Sequence, residues 1–149
     1  MFDAQGQFDE IYDWITQTNP QAAAELKGDE INGIVYFYQT EMGMVLFWSV
    51  GGLPVNLESC GGSIFAMHIH DENGHYDPYE CPHPYHAGDL PPLFSNGGYA
   101  FGAVLTTRFG LEEILGKSVV IHNNPDDFTS QPSGNPGEAI AEGMIRRLK

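Results

Sequence analysis

Apolar and polar residues alternate with a period of two along most of this chain, and a helical period appears only near its start. In FDEIYDWITQT, Phe8, Ile11, Tyr12 and Ile15 recur at helical spacing. They predict a short amphipathic helix over 8–18, ended by Asn19-Pro20. Downstream, segments 21–27, 31–40, 44–50, 62–70, 98–107, 117–122 and 139–145 read as strands. INGIVYFYQT and MVLFWSV are the clearest, being rich in β-branched and aromatic residues. Trp14, Trp48 and the aromatics at 36–38 are expected to pack in a core or an interface. Residues 71–97 are expected to form a long irregular loop rich in Pro, Gly, Asp and His, and 123–137 a second loop. LEEIL, residues 111–115, predicts one helical turn ahead of a late strand. The chain shows no internal repeat and no linker. It divides into an N-terminal helical extension, 1–20, and one β domain, 21–149.

Length and composition narrow this further. The chain has 149 residues, enough to bury a core without disulfides. Its 18 Gly and 10 Pro suit a turn-rich sandwich or barrel rather than a helix bundle. Twenty acidic against six basic residues give a net charge of −14. That balance repels phosphate backbones and anionic membranes, so no nucleic-acid or membrane partner is expected. No apolar run is long enough for a membrane span. The first residues carry no basic and apolar leader pattern, and the two cysteines, Cys60 and Cys81, are too few for a secreted disulfide scaffold. The expected location is cytoplasmic.

The histidines carry the chemistry. Of six, His68, His70, His75, His83 and His86 fall within 19 residues, and His122 ends the strand SVVIH. In a strand, His68 and His70 point to one face about 6.6 Å apart, a spacing that lets two imidazoles chelate one metal. His83, His86 and Asp89 lie in CPHPYHAGDL, a loop with two nitrogen donors and one oxygen donor that lacks one ligand of a tetrahedral zinc site. His75 sits between the two groups and is able to complete the second, while His122 is able to complete the first. Four nitrogens favour Cu(II), and three nitrogens with a carboxylate favour Zn(II). If both sites use His75, it must bridge them as an imidazolate.

These motifs, HIH, GHYDP, HAGDL, GKSVVIH, PDDF and SGNPG, stand in the order and near the spacings of the copper/zinc superoxide dismutase family, which the chain resembles from about Gln21 to Leu148. The resemblance implies an eight-stranded antiparallel Greek-key barrel or sandwich of immunoglobulin-like type, with a long metal-binding loop. It implies copper on His68, His70, His75 and His122, and zinc on His75, His83, His86 and Asp89. It implies that Asp126 accepts hydrogen bonds from His68 and His83. The implied reaction converts superoxide to dioxygen and hydrogen peroxide by Cu(II)/Cu(I) cycling, with His75 carrying a proton and Ser133 in the place of a channel threonine. The competing reading is a copper- or zinc-binding protein that buffers or delivers metal. The N-terminal helix is expected either to cover a barrel face or to serve a homodimer.

The chain also departs from that family. The channel arginine's position falls on Ala139, beside Glu138, and the last-strand cysteine's position on Glu142. A continuous strand would hold Cys60 about 26 Å from His68, with Cys81 near the metals, so two free thiols are expected.

Overall fold

A computed structural model describes residues 3–56 and 63–149. The helix α1 spans Ala4–Gln17. It begins four residues before the predicted start because Asp3 caps it, its Oδ1 accepting from the Gly6 amide at 3.0 Å. None of its residues is buried. Ile11 and Trp14 lie beside Thr40 and Met42 of the following hairpin, while Phe8 and Tyr12 stack on each other in solvent, their ring centroids 5.9 Å apart.

Strands β1 (Ala22–Lys27), β2 (Asn32–Thr40) and β3 (Gly43–Gly51) follow within two residues of the predicted bounds. The predicted fourth strand divides into β4 (Ile64–Phe65) and β5 (Met67–Asp71). They separate because they serve different sheets: β4 pairs with β7 (Leu93–Phe94), whereas β5 pairs with β9 (Ser118–His122). The stretch 71–97 is thus not wholly irregular, since β6 (Gly74–His75) and β7 lie within it. β8 (Ala100–Thr106), the short helix α2 (Leu111–Ile114) and β10 (Ala139–Arg147) complete the chain. α2 occupies the predicted helical turn, and Glu113 closes it by accepting from the Gly110 amide at 2.9 Å.

The main sheet has eight antiparallel strands in the order β6-β5-β9-β10-β1-β2-β3-β8. Spatial neighbours such as β3 and β8, or β5 and β9, are far apart in sequence, as in a Greek key. The curled sheet buries one face: Val35 and Phe37 of β2, Met44, Leu46, Trp48 and Val50 of β3, Ile69 of β5, Val119 and Ile121 of β9, and Ile145 of β10. Alternation along these strands is what directs every second side chain inward. Burial of this apolar set is the main stabilising contribution.

Candidate metal centre

The register at one sheet edge gathers four histidines. His68 and His70 are two apart in β5 and share the face turned away from Ile69 and the core. His70 pairs directly with His75 across the β5–β6 ladder. On the other side, His68 pairs with Val120 and Met67 with Ile121, so His122 lies on the histidine face, diagonal to His68. One donor nitrogen from each of His68, His70, His75 and His122 lies within 4.8 Å of all the others. His70 Nε2 and His122 Nε2 are 3.3 Å apart.

The loop after β6 brings the second group. It is pinned to β5 where the Ile69 amide donates to Gly88 O (2.8 Å) and the Gly88 amide donates to Tyr76 O (2.9 Å). This sets Asp89 beside His68 in an isolated β-bridge. Asp89 Oδ1 is 2.8 Å from His75 Nδ1, and its Oδ2 is 3.1 Å from His83 Nδ1 and 3.2 Å from His86 Nδ1. His86 Nδ1 is also 3.3 Å from His75 Nδ1. His68 falls within ligand distance of His75, His83 and Asp89 as well. His86 adjoins the same group through its Nδ1, which lies 3.2 Å from Asp89 Oδ2 and 3.3 Å from His75 Nδ1.

Asp126 stands behind both groups. Its Oδ2 accepts from His68 Nε2 at 2.8 Å and its Oδ1 from His83 Nε2 at 2.7 Å. Burial opposes ionisation of Asp126, but the hydrogen bonds from His68, His83 and the Phe128 amide outweigh it and hold its pKa below the ordinary value. Asp89 is likewise held low against burial by His75, His83 and His86. His68 is pushed down to about 3 and His70 to about 4, first by burial and then by the neighbouring His75 and His122. His122 is lowered by burial despite the hydrogen bond that its Nδ1 donates to Gly137 O at 3.1 Å. These rings are therefore neutral near pH 7, the form that binds metal.

Within this cluster three buried ring nitrogens are left without a hydrogen-bond partner: His68 Nδ1, His75 Nε2 and His83 Nδ1. Such orphans cost stability unless something completes them. His83 Nδ1 is close to Asp89 Oδ2, yet the two are not aligned for a hydrogen bond. Imidazole nitrogens and a carboxylate converging in this way are the donor set of copper and zinc, so the residues present fit those ions.

Ser133 lines a cavity of about 670 Å³ together with His70, His75, His86 and His122. Ala139, exposed at the start of β10, pairs with His122 and faces a neighbouring cavity that also holds His70, Lys117 and Glu142. Cys81 is a free thiol; Cys60, the other half of the expected thiol pair, lies outside the described residues. Two residues that the pattern did not single out touch the site. Gln131 and Arg108 hydrogen-bond to the backbone at His83 and His86, and sequence separations of 48 and 22 residues left no local signal for either.

A β-barrel with clustered histidine and carboxylate donors at one sheet edge has the architecture of a metal-binding protein. A family model described as copper/zinc superoxide dismutase matches residues 31–145. The chain belongs to the copper/zinc superoxide dismutase family, whose ions are copper and zinc. It is 30% identical over 143 residues to superoxide dismutase [Cu-Zn] 2 of Aquifex aeolicus, covering 78% of this chain and 80% of the relative. It is 32% identical over 130 residues to the superoxide dismutase [Cu-Zn] of Legionella pneumophila, covering 76% and 77%. Among solved structures, the clock protein EA4 superposes with a TM-score of 0.69 at 26% identity, over 88% of this chain and 97% of that one.

Proposed function

We propose that the protein is a working superoxide dismutase in which His75 links the two ions and carries the proton. The carrying observation is the state of that ring: Nδ1 faces Asp89 at 2.8 Å, and Nε2 is buried without a partner among the other three histidines. His68 Nδ1, His70 Nε2, His75 Nε2 and His122 Nε2 would hold copper. The Nδ1 atoms of His75, His83 and His86, with a carboxylate oxygen of Asp89, would hold zinc. When bound, copper supplies one-electron redox chemistry and zinc a fixed positive charge without redox chemistry.

The chain's own residues do the rest. Asp126 takes the Nε2–H of His68 and of His83, which leaves each Nδ1 as a lone pair and fixes both rings. Gly137 O takes the Nδ1–H of His122 and leaves its Nε2 free for the same purpose. His75 Nε2 would carry a proton when it is not holding copper, taking it from solvent and giving it to peroxide, whose second proton comes from solvent. The cavity lined by Ser133, Asn73 and the histidines admits a small anion, and the Ser133 hydroxyl is able to donate to it.

The test compares superoxide removal by protein loaded with copper and zinc against the zinc-only form. Activity that depends on copper supports the dismutase. Full copper occupancy without activity above free-ion controls turns the reading to the second one, a metal-binding protein of the same fold. That second reading is favoured by the neutral Ala139 in the place of the channel arginine; the cavity it lines holds Lys117 but also Asp71, Glu72 and Glu142, so its charge does not favour an approaching anion.

A further inference from the structure

The loop between β6 and β7 is anchored unevenly. Its Asp89 end is tied to β5 through Gly88, as described above. Its His83–His86 half pairs with no strand. Two side chains from distant segments grip it instead. The Gln131 amide accepts from the His83 amide through Oε1 at 2.9 Å and donates through Nε2 to the His83 carbonyl at 2.7 Å. Arg108 Nη1 donates to Pro84 O at 3.0 Å and to His86 O at 3.2 Å.

The Gln131 contact is orientation-specific. A flipped amide would set NH₂ against N–H and oxygen against oxygen, so only one arrangement satisfies both ends. The same stretch of chain carries Asp126, whose Oδ1 takes the His83 ring at Nε2. One loop therefore holds His83 at three points: backbone N–H, backbone carbonyl and ring. With those fixed, the direction of the remaining nitrogen, the orphaned Nδ1, is fixed as well. Gln131 is itself exposed, so it adds little to the core, and its removal leaves no buried cavity.

We propose that Gln131 is a positioning residue for the zinc side of the centre, aiming His83 Nδ1 through the His83 backbone, with Arg108 holding the His86 end of the same turn. This rests on the reading that His83 and His86 are zinc donors. It assigns to two residues outside the donor set a share of the affinity and the geometry of that ion. Outer partners of metal ligands commonly contribute about 10- to 100-fold in affinity.

The test uses the full chain with Gln131→Met, which keeps the length and removes both hydrogen bonds to His83 along with the Nε2 donation to Thr129 O, and Gln131→Glu, which keeps only the acceptor. Zinc affinity is measured by chelator competition. Cobalt(II) is then placed in the zinc site, and its visible absorption reports donor number and angles. Gln131→Met is expected to weaken zinc by about 10-fold or more and to shift the cobalt bands, while copper affinity stays that of the parent. Gln131→Glu is expected to fall between the two, and Arg108→Met to move the bands in its own right. Zinc affinity and cobalt bands unchanged in Gln131→Met would overturn the inference. So would an equal loss of zinc and copper, which marks general loosening of the fold. A parent protein that takes up no cobalt would overturn the zinc-side assignment, and this inference with it.

Discussion

At Gly134 the loop that carries Asp126 passes directly against the Asp126–His83 hydrogen bond. The φ of Gly134 is +79°, and a Cβ built on it would overlap Asp126 Oδ1 and His83 Nε2, the two atoms joined by the 2.7 Å hydrogen bond. Gly134→Ala therefore imposes two separate costs. Left-handed backbone costs an alanine about 1–2 kcal/mol. Displacing Asp126 breaks a buried hydrogen bond to a charged group, about 1.5–3 kcal/mol. Together they predict a loss of about 2.5–5 kcal/mol. Gly116 separates the terms, because its φ is +85° and a Cβ there meets nothing within 4 Å. Gly116→Ala should lose only the backbone part, about 1–2 kcal/mol. The assay is urea unfolding of the metal-free protein at pH 7.5, for the parent and both variants. Gly134→Ala should also weaken copper and zinc together, since Asp126 orients one histidine of each group. Equal losses in the two variants, with metal affinity intact in Gly134→Ala, would refute the claim that Asp126 and His83 need this close passage.

Stability of the metal-free protein should fall with acid below pH 6.5. The unfolded chain takes up protons at His68 and His70 near their ordinary value, while the folded protein keeps them neutral until about pH 3 and 4. Folding therefore excludes protons, and His68 alone should contribute a slope of about 1.4 kcal/mol per pH unit. Urea midpoints that stay constant between pH 7 and 5 would sink this assignment. A chain of net charge −14, with the neutral Ala139 beside His122, should repel superoxide. Added salt should then leave dismutation unchanged or raise it up to moderate ionic strength, and a steep fall would contradict that. Ala139→Arg should raise the rate at low salt and make it decline as salt is added, which stopped-flow superoxide decay can read.

Period-two alternation located the main strands, because a half-buried strand must place every second side chain in the core. The split of 62–70 at Ala66 was not legible, since no Gly, Pro or turn residue lies between Ile64 and His70 and only the different partners, β7 and β9, separate the halves. The helix α1 started earlier than its apolar spacing suggested, because the signal at its start is the polar cap Asp3. Clustering of His, Asp and Gly marked the candidate site, since donors for one ion must be near one another and short spacings survive in the sequence. HIH alone determines that two rings share a face.

What the sequence by itself determined is therefore the local content: strand periodicity, a charge that disfavours anionic partners, and a set of donors suited to copper and zinc. Tertiary structure decided which nitrogen of each ring is spoken for and which is left to face an ion. That depends on partners such as Asp126 and Gly137 O, 58 residues from His68 in one case and 15 from His122 in the other. It also decided that Gln131 and Arg108 hold the turn between His83 and His86. A hydrogen bond is set by distance and angle in space, and no spacing along the chain encodes the meeting of two loops until the barrel has brought them together.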